Sequence, residues 1–359
     1  MSSRMIPETT PSVISKNSLI HWLDQIASLM RLIAPRDIAG NILYRQVGNA
    51  AEIIWDYTRP VLSIKDVFFP PTEVLFTIEK IGNAVNIKET SPEGEQVLFG
   101  VRPCDAHGLQ ALDALFIATQ PIDPYYMRRR ENTTLVGLAC PEMGATCFCT
   151  TMGGAPDDPR HMDLMLHAIE DVYLLEIVTE KGAFLLERYP LVIEPGIQPN
   201  TYIRPEITTE RLAYPALDSW PEHFNQLYWE EIAERCLSCR ACAYVCPTCR
   251  CFDVRDEFQS EQGDNKVYER IRCWDSCAGE AYRRIASGHN PRAAKGERLR
   301  NRFYCKYYYF PQQYGPAACT GCGRCIDVCP AGVDITEILQ FMAGIAMVEK
   351  QAQVEVGRI

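Results

Sequence analysis

Several signatures of well-known catalytic and nucleotide-binding sites are missing from this chain of 359 residues. It contains no G-x-G-x-x-G after a predicted strand, no Walker A sequence, no H-E-x-x-H pair and no G-x-S-x-G elbow. No uninterrupted apolar run is long enough to span a bilayer, and the first residues, MSSRMIPETTPSV, lack an apolar stretch of signal-peptide length. We therefore expect a cytoplasmic protein without a membrane span.

An excess of positive charge is missing as well. Lys and Arg together number 36 against 46 Asp and Glu, which gives a formal net charge of −10. Nucleic-acid binding depends on basic surface that neutralises phosphates, and no helix-turn-helix signal is present, so no nucleic-acid partner is expected. Charged residues make up 23% and hydrophobic residues 47% of the chain, an ordinary balance for two or three globular domains.

Cysteine, in contrast, is abundant, with 17 residues. Disulfide frameworks are typical of short secreted chains, whereas this chain is long and its odd count leaves at least one thiol unpaired. In a reducing compartment, clustered cysteines more often bind a metal. We therefore expect a metalloprotein.

Two stretches, CLSCRACAYVCP from Cys236 and CTGCGRCIDVCP from Cys319, share the spacing C-x2-C-x2-C-x3-C-P. Mononuclear zinc does not explain this repeat, because zinc ligands usually come as two well-separated pairs. Three thiolates on one wrapping loop suit three corners of an iron–sulfur cube, and the fourth suits the other cluster, as in two-cluster ferredoxins. The two predicted [4Fe–4S] clusters take Cys236, Cys239, Cys242 and Cys329 (cluster 1) and Cys319, Cys322, Cys325 and Cys246 (cluster 2).

The two loops differ between their cysteines. Gly321 and Gly323 are expected to let the backbone crowd cluster 2, whereas the first loop has Ser238 and Arg240 at these positions. The two clusters are therefore expected to differ in electrostatic surroundings and reduction potential.

The N-terminal part has an α/β pattern. QVLFGV and TTLVGLA are predicted as buried strands on either side of a helix over DAHGLQALDALFI, which together form a βαβ unit. SLIHWLDQIASLMRLI is predicted as an amphipathic helix capped by Asn17 or Ser18. DVYLLEIVTEKGAFLLE is predicted as a hairpin with Lys181 and Gly182 in the turn.

Four more cysteines fall where such sheets carry function, beyond the carboxyl ends of the strands. Cys104 and Cys140 follow the two predicted strands, and Cys147 and Cys149 lie in the loop after Cys140. If the strands are neighbours, the four thiols converge, and we predict a third [4Fe–4S] cluster on them. Buried structural thiols and a structural zinc site are the alternatives.

The segment between the two motifs is predicted to be helical, because VYERIRCWDSCAGEAYRRIASG has apolar positions at helical spacing. HFNQLYWEEIAERC, before the first motif, is also predicted as a helix. The basic run NPRAAKGERLRNRFYCKYYYF either neutralises the clusters, meets an acidic partner or forms a solvated surface. The remaining cysteines supply a further cluster or, as we favour, pack as small hydrophobic residues: Cys249, Cys251, Cys273, Cys277 and Cys305.

Repeated prolines between the two parts favour an extended connector. The predicted domains are an α/β domain over 1–193, the connector over 194–224, an α-helical ferredoxin-like domain with two [4Fe–4S] clusters over 225–345, and a C-terminal tail over 346–359.

The motifs and their split spacing resemble the α-helical ferredoxin domains of fumarate reductase and heterodisulfide reductase subunits. Together with FGVRPCDAHGLQALDALF, GLACPEMGATCFCTTMGG, CPTCRCFDV and GHNPR, they resemble the β subunits of cytoplasmic NAD(P)-linked [NiFe] sulfhydrogenases. They are also similar to the corresponding iron–sulfur subunit of anaerobic sulfite reductase. The similarity runs from about residue 60 to 345.

The resemblance implies an electron-transfer subunit between a flavoprotein that binds FAD and NAD(P) and the small and large subunits of a [NiFe] hydrogenase. An equivalent subunit of an anaerobic sulfite reductase or of a heterodisulfide-reductase-type complex is the alternative. No substrate site of the chain's own is evident. An enzyme that uses a cluster as a Lewis acid is disfavoured, because such a site usually has only three cysteine ligands.

Overall fold

The computed structural model describes residues 12–92, 94–193 and 212–344. These residues fall into two compact units. Of the described residues, unit 1 contains those within 12–144, 154–193 and 254–273, and unit 2 contains those within 145–153, 212–253 and 274–344. The predicted division differs at two segments: it assigns residues 145–153 to the N-terminal domain and residues 254–273 to the C-terminal domain.

The predicted connector is described only in part, and the predicted tail is not described. Residues 194–211 of the connector and the whole predicted tail, 346–359, lie outside the described residues.

Unit 1 is built on two β-sheets. The strands are Ser12–Ser15 (β1), Arg31–Ile38 (β2), Asn41–Val47 (β3), Thr72–Ile81 (β4), Ala84–Glu89 (β5), Gln96–Val101 (β6), Thr133–Leu138 (β7), Leu164–Ile169 (β8), Val172–Ile177 (β9), Phe252–Gln262 (β10) and Asn265–Trp274 (β11). One sheet has the order β1-β9-β8-β7-β6-β2-β3 and the other β10-β11-β4-β5. Strands β2, β6, β7 and β8 pair in parallel, and the pairs toward both edges of the larger sheet are antiparallel.

The helices of unit 1 are Lys16–Leu29 (α1), Lys65–Phe68 (α2), Pro103–Phe116 (α3), Pro124–Asn132 (α4) and Glu180–Arg188 (α5). The predicted amphipathic helix is α1, but its cap is Ser15, whose Oγ accepts a hydrogen bond from the Ser18 N–H at 3.2 Å. Side chains of α1 pack with those of the central strands in one apolar cluster, which includes Trp22, Phe99 and Val136.

The predicted βαβ unit is confirmed. β6 and β7 are parallel neighbours, with Leu98 opposite Leu135, and every residue of both strands is buried. α3 follows β6 as predicted, and α4 precedes β7. The chain therefore leaves β6 and β7 at the same edge of the sheet, which is where Cys104 and Cys140 lie.

The predicted hairpin after β9 is wrong. β9 ends at Ile177 and is followed by α5, whose cap Thr179 accepts the Gly182 N–H at its Oγ1 at 3.3 Å. A Cβ on Gly182 would lie 2.1 Å from the carbonyl oxygen of Asp163. The glycine therefore permits a close approach within the helix rather than a turn.

The predicted helix between the two motifs is also wrong. Its first part is β11, which pairs antiparallel with β4, and residues 275–294 form turns, bends and irregular chain. Val267 and Ile271 are four residues apart, a spacing that fits one face of a helix and equally one face of a strand. Arg272 is buried in β11, and its Nε donates to Glu73 Oε1 at 2.7 Å.

The helices of unit 2 are Tyr228–Arg235 (α6), Ala241–Tyr244 (α7), Lys295–Tyr304 (α8), Phe310–Tyr314 (α9), Arg324–Asp327 (α10) and residues 335–344 (α11). A π-helical turn, Cys305–Tyr309, joins α8 to α9. The helix predicted before the first motif is confirmed over its second half, as α6. Trp229 and Ile232 of α6 pack with Phe303 and Ile338 in the apolar core of unit 2.

Candidate metal centres

The two cysteine motifs fold into loops of the same backbone conformation. In the first loop, Ser238 (φ 53°) and Arg240 (φ 69°) are left-handed. In the second loop, Gly321 (φ 64°) and Gly323 (φ 75°) occupy the matching positions. A short helix follows each loop, α7 in the first case and α10 in the second. The common spacing of the cysteines therefore corresponds to a common wrapping of the chain.

A backbone amide donates to the first sulfur of each motif. The Ser238 N–H donates to Cys236 Sγ at 3.4 Å, and the Gly321 N–H donates to Cys319 Sγ in the matching position. Hydrogen bonds to sulfur stabilise negative charge on a ligating thiolate and help to set cluster potential. Both loops thus have the chemistry of iron–sulfur ligand loops.

One cavity of unit 2, cavity 1, is lined by cysteines of both motifs. The four predicted ligands of cluster 1 all line it: Cys236, Cys239, Cys242 and Cys329. The cations that line it are Arg240, Lys295, Arg298 and Arg302. The Val333 N–H donates to Cys329 Sγ at 3.3 Å, so the cysteine from the second motif also has an amide donor.

A second cavity of unit 2, cavity 2, brings together the other set. The four predicted ligands of cluster 2 all line it: Cys246, Cys319, Cys322 and Cys325. Arg302 and Lys306 line it with them. Because Arg302 and Cys325 also line cavity 1, the two cavities are adjacent.

Three buried cations of the basic run lie at the cavities. Arg298, Arg302 and Lys306 are only 6%, 5% and 3% exposed. Lys306 Nζ lies 3.2 Å from Cys246 Sγ, and an Arg302 Nη donates to the Cys242 carbonyl at 3.4 Å. A solvated surface is therefore the wrong interpretation for these three residues. Their four-residue spacing, which puts them on one helical face, is the sequence signal that identifies them.

Electrostatics keep two of these cations, Lys306 and Arg302, charged. Burial lowers the pKa of Lys306, but its interactions with the sulfur atoms of Cys246 and Cys249 outweigh burial, so the pKa lies above its usual value. Burial likewise lowers the pKa of Arg302, and its interactions with the sulfur atoms of Cys242 and Cys325 more than compensate, so that this pKa is also raised. Two permanent positive charges therefore face the sulfur atoms of the cavities.

The two cavities differ in exposure. Cys239 in the first loop is exposed, whereas Cys246, Cys319 and Cys322 around cavity 2 are buried. Leu237, two residues before Cys239, is 66% exposed. Cavity 1 therefore lies at the surface of unit 2, and cavity 2 lies deeper within it.

Residues 145–153 cover the second loop. The Phe148 N–H donates to the Gly321 carbonyl at 2.8 Å. A Cβ on Gly321 would lie 2.4 Å from the Phe148 oxygen, and one on Gly323 would lie 2.4 Å from the Thr146 oxygen. The two glycines therefore let the backbone of residues 145–153 pack closely against the second loop.

Cys104 and Cys140 lie near a buried arginine in unit 1. Arg102 Nη1 donates to the Leu138 carbonyl at 3.1 Å and to the Ala139 carbonyl at 2.6 Å. These bonds join the end of β6 to the end of β7, and so hold the two segments that carry Cys104 and Cys140.

Cys147 and Cys149 belong to unit 2. Cys147 Sγ lies 3.8 Å from the Cys322 carbonyl oxygen. The third cluster on these two residues with Cys104 and Cys140 stays a prediction.

Within residues 12–92, 94–193 and 212–344, no group of three or more His, Cys, Asp or Glu is arranged to hold a single metal ion. The paired cysteine motifs are included in that range, and their thiols suit a cluster in which each thiolate binds a different iron. Over the same described residues, no helix combines the length and apolarity needed to cross a membrane.

Comparison with known proteins agrees with this geometry. Residues 235–333 match the family described as a 4Fe-4S dicluster domain, so the C-terminal part binds [4Fe–4S] clusters. Over 335 residues the chain is 32% identical to sulfhydrogenase 2 subunit beta of Pyrococcus furiosus, an alignment that covers 89% of this chain and 94% of that protein. No solved structure matches the chain. The chain therefore belongs to the family of sulfhydrogenase β subunits, as its motifs predict.

Proposed function

We propose that this chain is the iron–sulfur electron-transfer subunit of a cytoplasmic [NiFe] hydrogenase complex. It relays electrons between a flavoprotein subunit that binds FAD and NAD(P) and the small and large catalytic subunits. The observation that carries the proposal is that cavities 1 and 2 share Arg302 and Cys325, so clusters bound in them are neighbours. Membership of the sulfhydrogenase β family supports a hydrogenase as the enzyme served.

The proposed ligands follow the lining of the cavities, and the domain that holds them is the proposed α-helical ferredoxin-like domain. Cluster 1 takes Cys236, Cys239, Cys242 and Cys329, and cluster 2 takes Cys319, Cys322, Cys325 and Cys246. Each motif gives three thiolates to one cluster and lends its fourth to the other.

Residues of this chain adapt the two cavities to electron transfer. A bound [4Fe–4S] cluster supplies a centre that accepts and releases one electron. Arg302 and Lys306 offset the negative charge of the sulfur atoms, and the amides of Ser238 and Gly321 donate to them. Burial of cavity 2 keeps water from its sulfur atoms.

The surface position of cavity 1 supports the docking of a partner there. Cys239 is exposed and is flanked by exposed Leu237, so an approaching redox centre meets a short path to cluster 1 and an apolar contact. Cluster 2, enclosed beneath residues 145–153, is the inner station of the relay.

A third [4Fe–4S] cluster on Cys104, Cys140, Cys147 and Cys149 is part of the proposal. Arg102 supports it by holding together the segments that carry the first two cysteines. Cys140→Ser should remove about four irons per chain. Unchanged iron content in that variant would contradict the third cluster.

Purification of the complex under anaerobic conditions tests the proposed function. A tag on this chain should bring down a flavoprotein with FAD and subunits that contain nickel. Either hydrogen or NAD(P)H should then reduce the clusters, as followed by electron paramagnetic resonance (EPR). Sirohaem in place of nickel would assign the chain to a sulfite reductase instead, and a chain that purifies alone with full activity would contradict any role as a relay subunit.

A further inference from the structure

We propose that unit 2 holds an additional iron–sulfur cluster, bound by four cysteines outside the paired motifs. We call this set the Cys277 site. Its members are Cys249, Cys251, Cys277 and Cys305. The proposal does not depend on which enzyme the chain serves.

The centre of the site is the pair Cys251 and Cys277. Their thiols share a hydrogen bond, and the Cys277 N–H and the Tyr282 hydroxyl also donate to Cys251 Sγ. The Asp275 N–H donates to the Cys251 carbonyl at 3.0 Å, which joins the two segments. When both thiols are deprotonated, the Cys277 N–H and the Tyr282 hydroxyl remain as donors to Cys251 Sγ, and hydrogen bonds of this kind support a ligating thiolate.

Two more thiols lie within electrostatic range of this pair. Cys249 and Cys305 both act electrostatically on the Cys277 thiol, after Cys251 itself. Cys305 is the first residue of the π-helical turn that joins α8 to α9. Such turns are rare and frequently occur at functional sites, because they redirect side chains from the regular helical face. Here the turn begins at the cysteine that completes a set of four.

The Cys277 site adjoins cavity 2. Cys249 shares a side-chain hydrogen bond with Cys246, a proposed ligand of cluster 2. Arg302 and Lys306 interact electrostatically with Cys249 as well as with Cys246. The same two buried cations therefore serve both sets of thiols, and a cluster at the Cys277 site extends the relay from cluster 2.

The chemistry of the set favours an iron–sulfur cluster over a single ion. Four thiols are the ligand set of both [2Fe–2S] and [4Fe–4S] clusters. No group of three or more ligating residues in the described part of the chain is arranged for a single metal ion, which argues against zinc. Iron and sulfide analysis distinguishes the two cluster types.

The test compares iron and acid-labile sulfide in the full chain, purified anaerobically, with those in Cys277→Ser and Cys305→Ser. Each variant should lose the same amount, about two irons for a [2Fe–2S] cluster or about four for a [4Fe–4S] cluster. Cys273→Ser is the matched control. Cys273 lies in β11, four residues before Cys277, and is outside the set, so this variant should lose no iron. EPR signals of clusters 1 and 2 should persist in all three variants, which also shows that unit 2 folds.

Three results would overturn the proposal. The first is unchanged iron in either cysteine variant that keeps both EPR signals. The second is a Cys251–Cys277 disulfide, found by mass spectrometry in the unaltered chain with clusters 1 and 2 in place. The third is that adding Cys277→Ser to a chain that already carries Cys140→Ser causes no further loss of iron. The iron lost in Cys277→Ser alone would then belong to the N-terminal cysteines. If neither variant folds, Mössbauer quantification on the unaltered chain decides, and iron fully accounted for by the other predicted clusters overturns the site.

Discussion

The two cysteine loops of unit 2 have the same cysteine spacing and the same left-handed backbone positions, yet different residues at those positions. Gly321 and Gly323 lie beneath residues 145–149, where no Cβ fits. Ser238 and Arg240 adopt the same left-handed backbone conformation with side chains present, because the matching surface of the first loop is open. The cysteine spacing thus sets the backbone conformation of the loop, and the residues between the cysteines depend on whether other backbone packs against the loop.

The open loop accepts a conformational cost. Non-glycine residues in the left-handed region are destabilised by about 1–2 kcal/mol each. Arg240 regains part of this through its ion pair with Asp275, at 3.3 Å, which ties the first loop to the segment after β11.

The largest expected effect comes from removing a ligand that crosses between the loops. Cys329→Ala should abolish cluster 1, because Cys329 lines cavity 1, and should leave cluster 2 largely intact although the residue belongs to the second motif. EPR of the reduced chain measures each cluster. The reciprocal Cys246→Ala should remove cluster 2 instead, and loss of cluster 2 in Cys329→Ala would show that the ligand assignment is wrong.

The next effect tests the cover over the second loop. Gly323→Ala should destabilise unit 2 by about 3 kcal/mol, since it adds left-handed strain and a clash with the Thr146 backbone. The temperature at which cluster absorbance is lost should fall.

Ser238→Ala is the matched control for this change, because it alters a left-handed position without adding a Cβ. It should change stability by less than about 0.5 kcal/mol. Equal losses of stability in the two variants would mean that the backbone packed against the second loop does not account for its glycines.

A smaller effect concerns the buried cation at cavity 2. Lys306→Met removes a positive charge that stabilises the reduced state, so the reduction potential of cluster 2 should fall by on the order of 100 mV. Cluster 1 should shift less, because Lys306 lines cavity 2 and not cavity 1. EPR-monitored redox titration measures both potentials. Lys306→Arg should restore the potential of cluster 2 if charge, rather than packing, is responsible.

The smallest effect makes the open loop more like the covered one. Ser238→Gly should stabilise unit 2 by less than about 1 kcal/mol, because relief of left-handed strain is offset by the greater freedom of glycine in the unfolded chain. Thermal unfolding under anaerobic conditions measures the shift. A clear loss of stability would show that the Ser238 side chain makes a contact that outweighs the strain.

Much of the site could be predicted from local sequence. The two motifs identify the cysteines that line both cavities, because ligand spacing is set by the short loop itself. The buried strands QVLFGV and TTLVGL and the helix between them were equally predictable, since runs of buried residues and a helical period are local signals.

The errors come from local signals that fit two structures. Val267 and Ile271 match a helix and a strand alike, and only pairing with the distant β4 decides between them. Gly182 is typical of a turn, but here the nearby Asp163 backbone requires it. Likewise, the cover of Gly321 by Phe148 joins residues far apart in the chain, and no local pattern reveals it.

The hairpin of β10 and β11 limits how the dicluster region can be handled as a separate piece. A fragment limited to the matched residues 235–333 would contain β11 but not its pairing partner β4. The edge of β11 would then present unpaired backbone groups to solvent, and Arg272 would lose Glu73, its buried counter-ion. Such a truncation should aggregate, so a fragment that carries the dicluster domain should also include β4 and β5, with which β10 and β11 form a sheet.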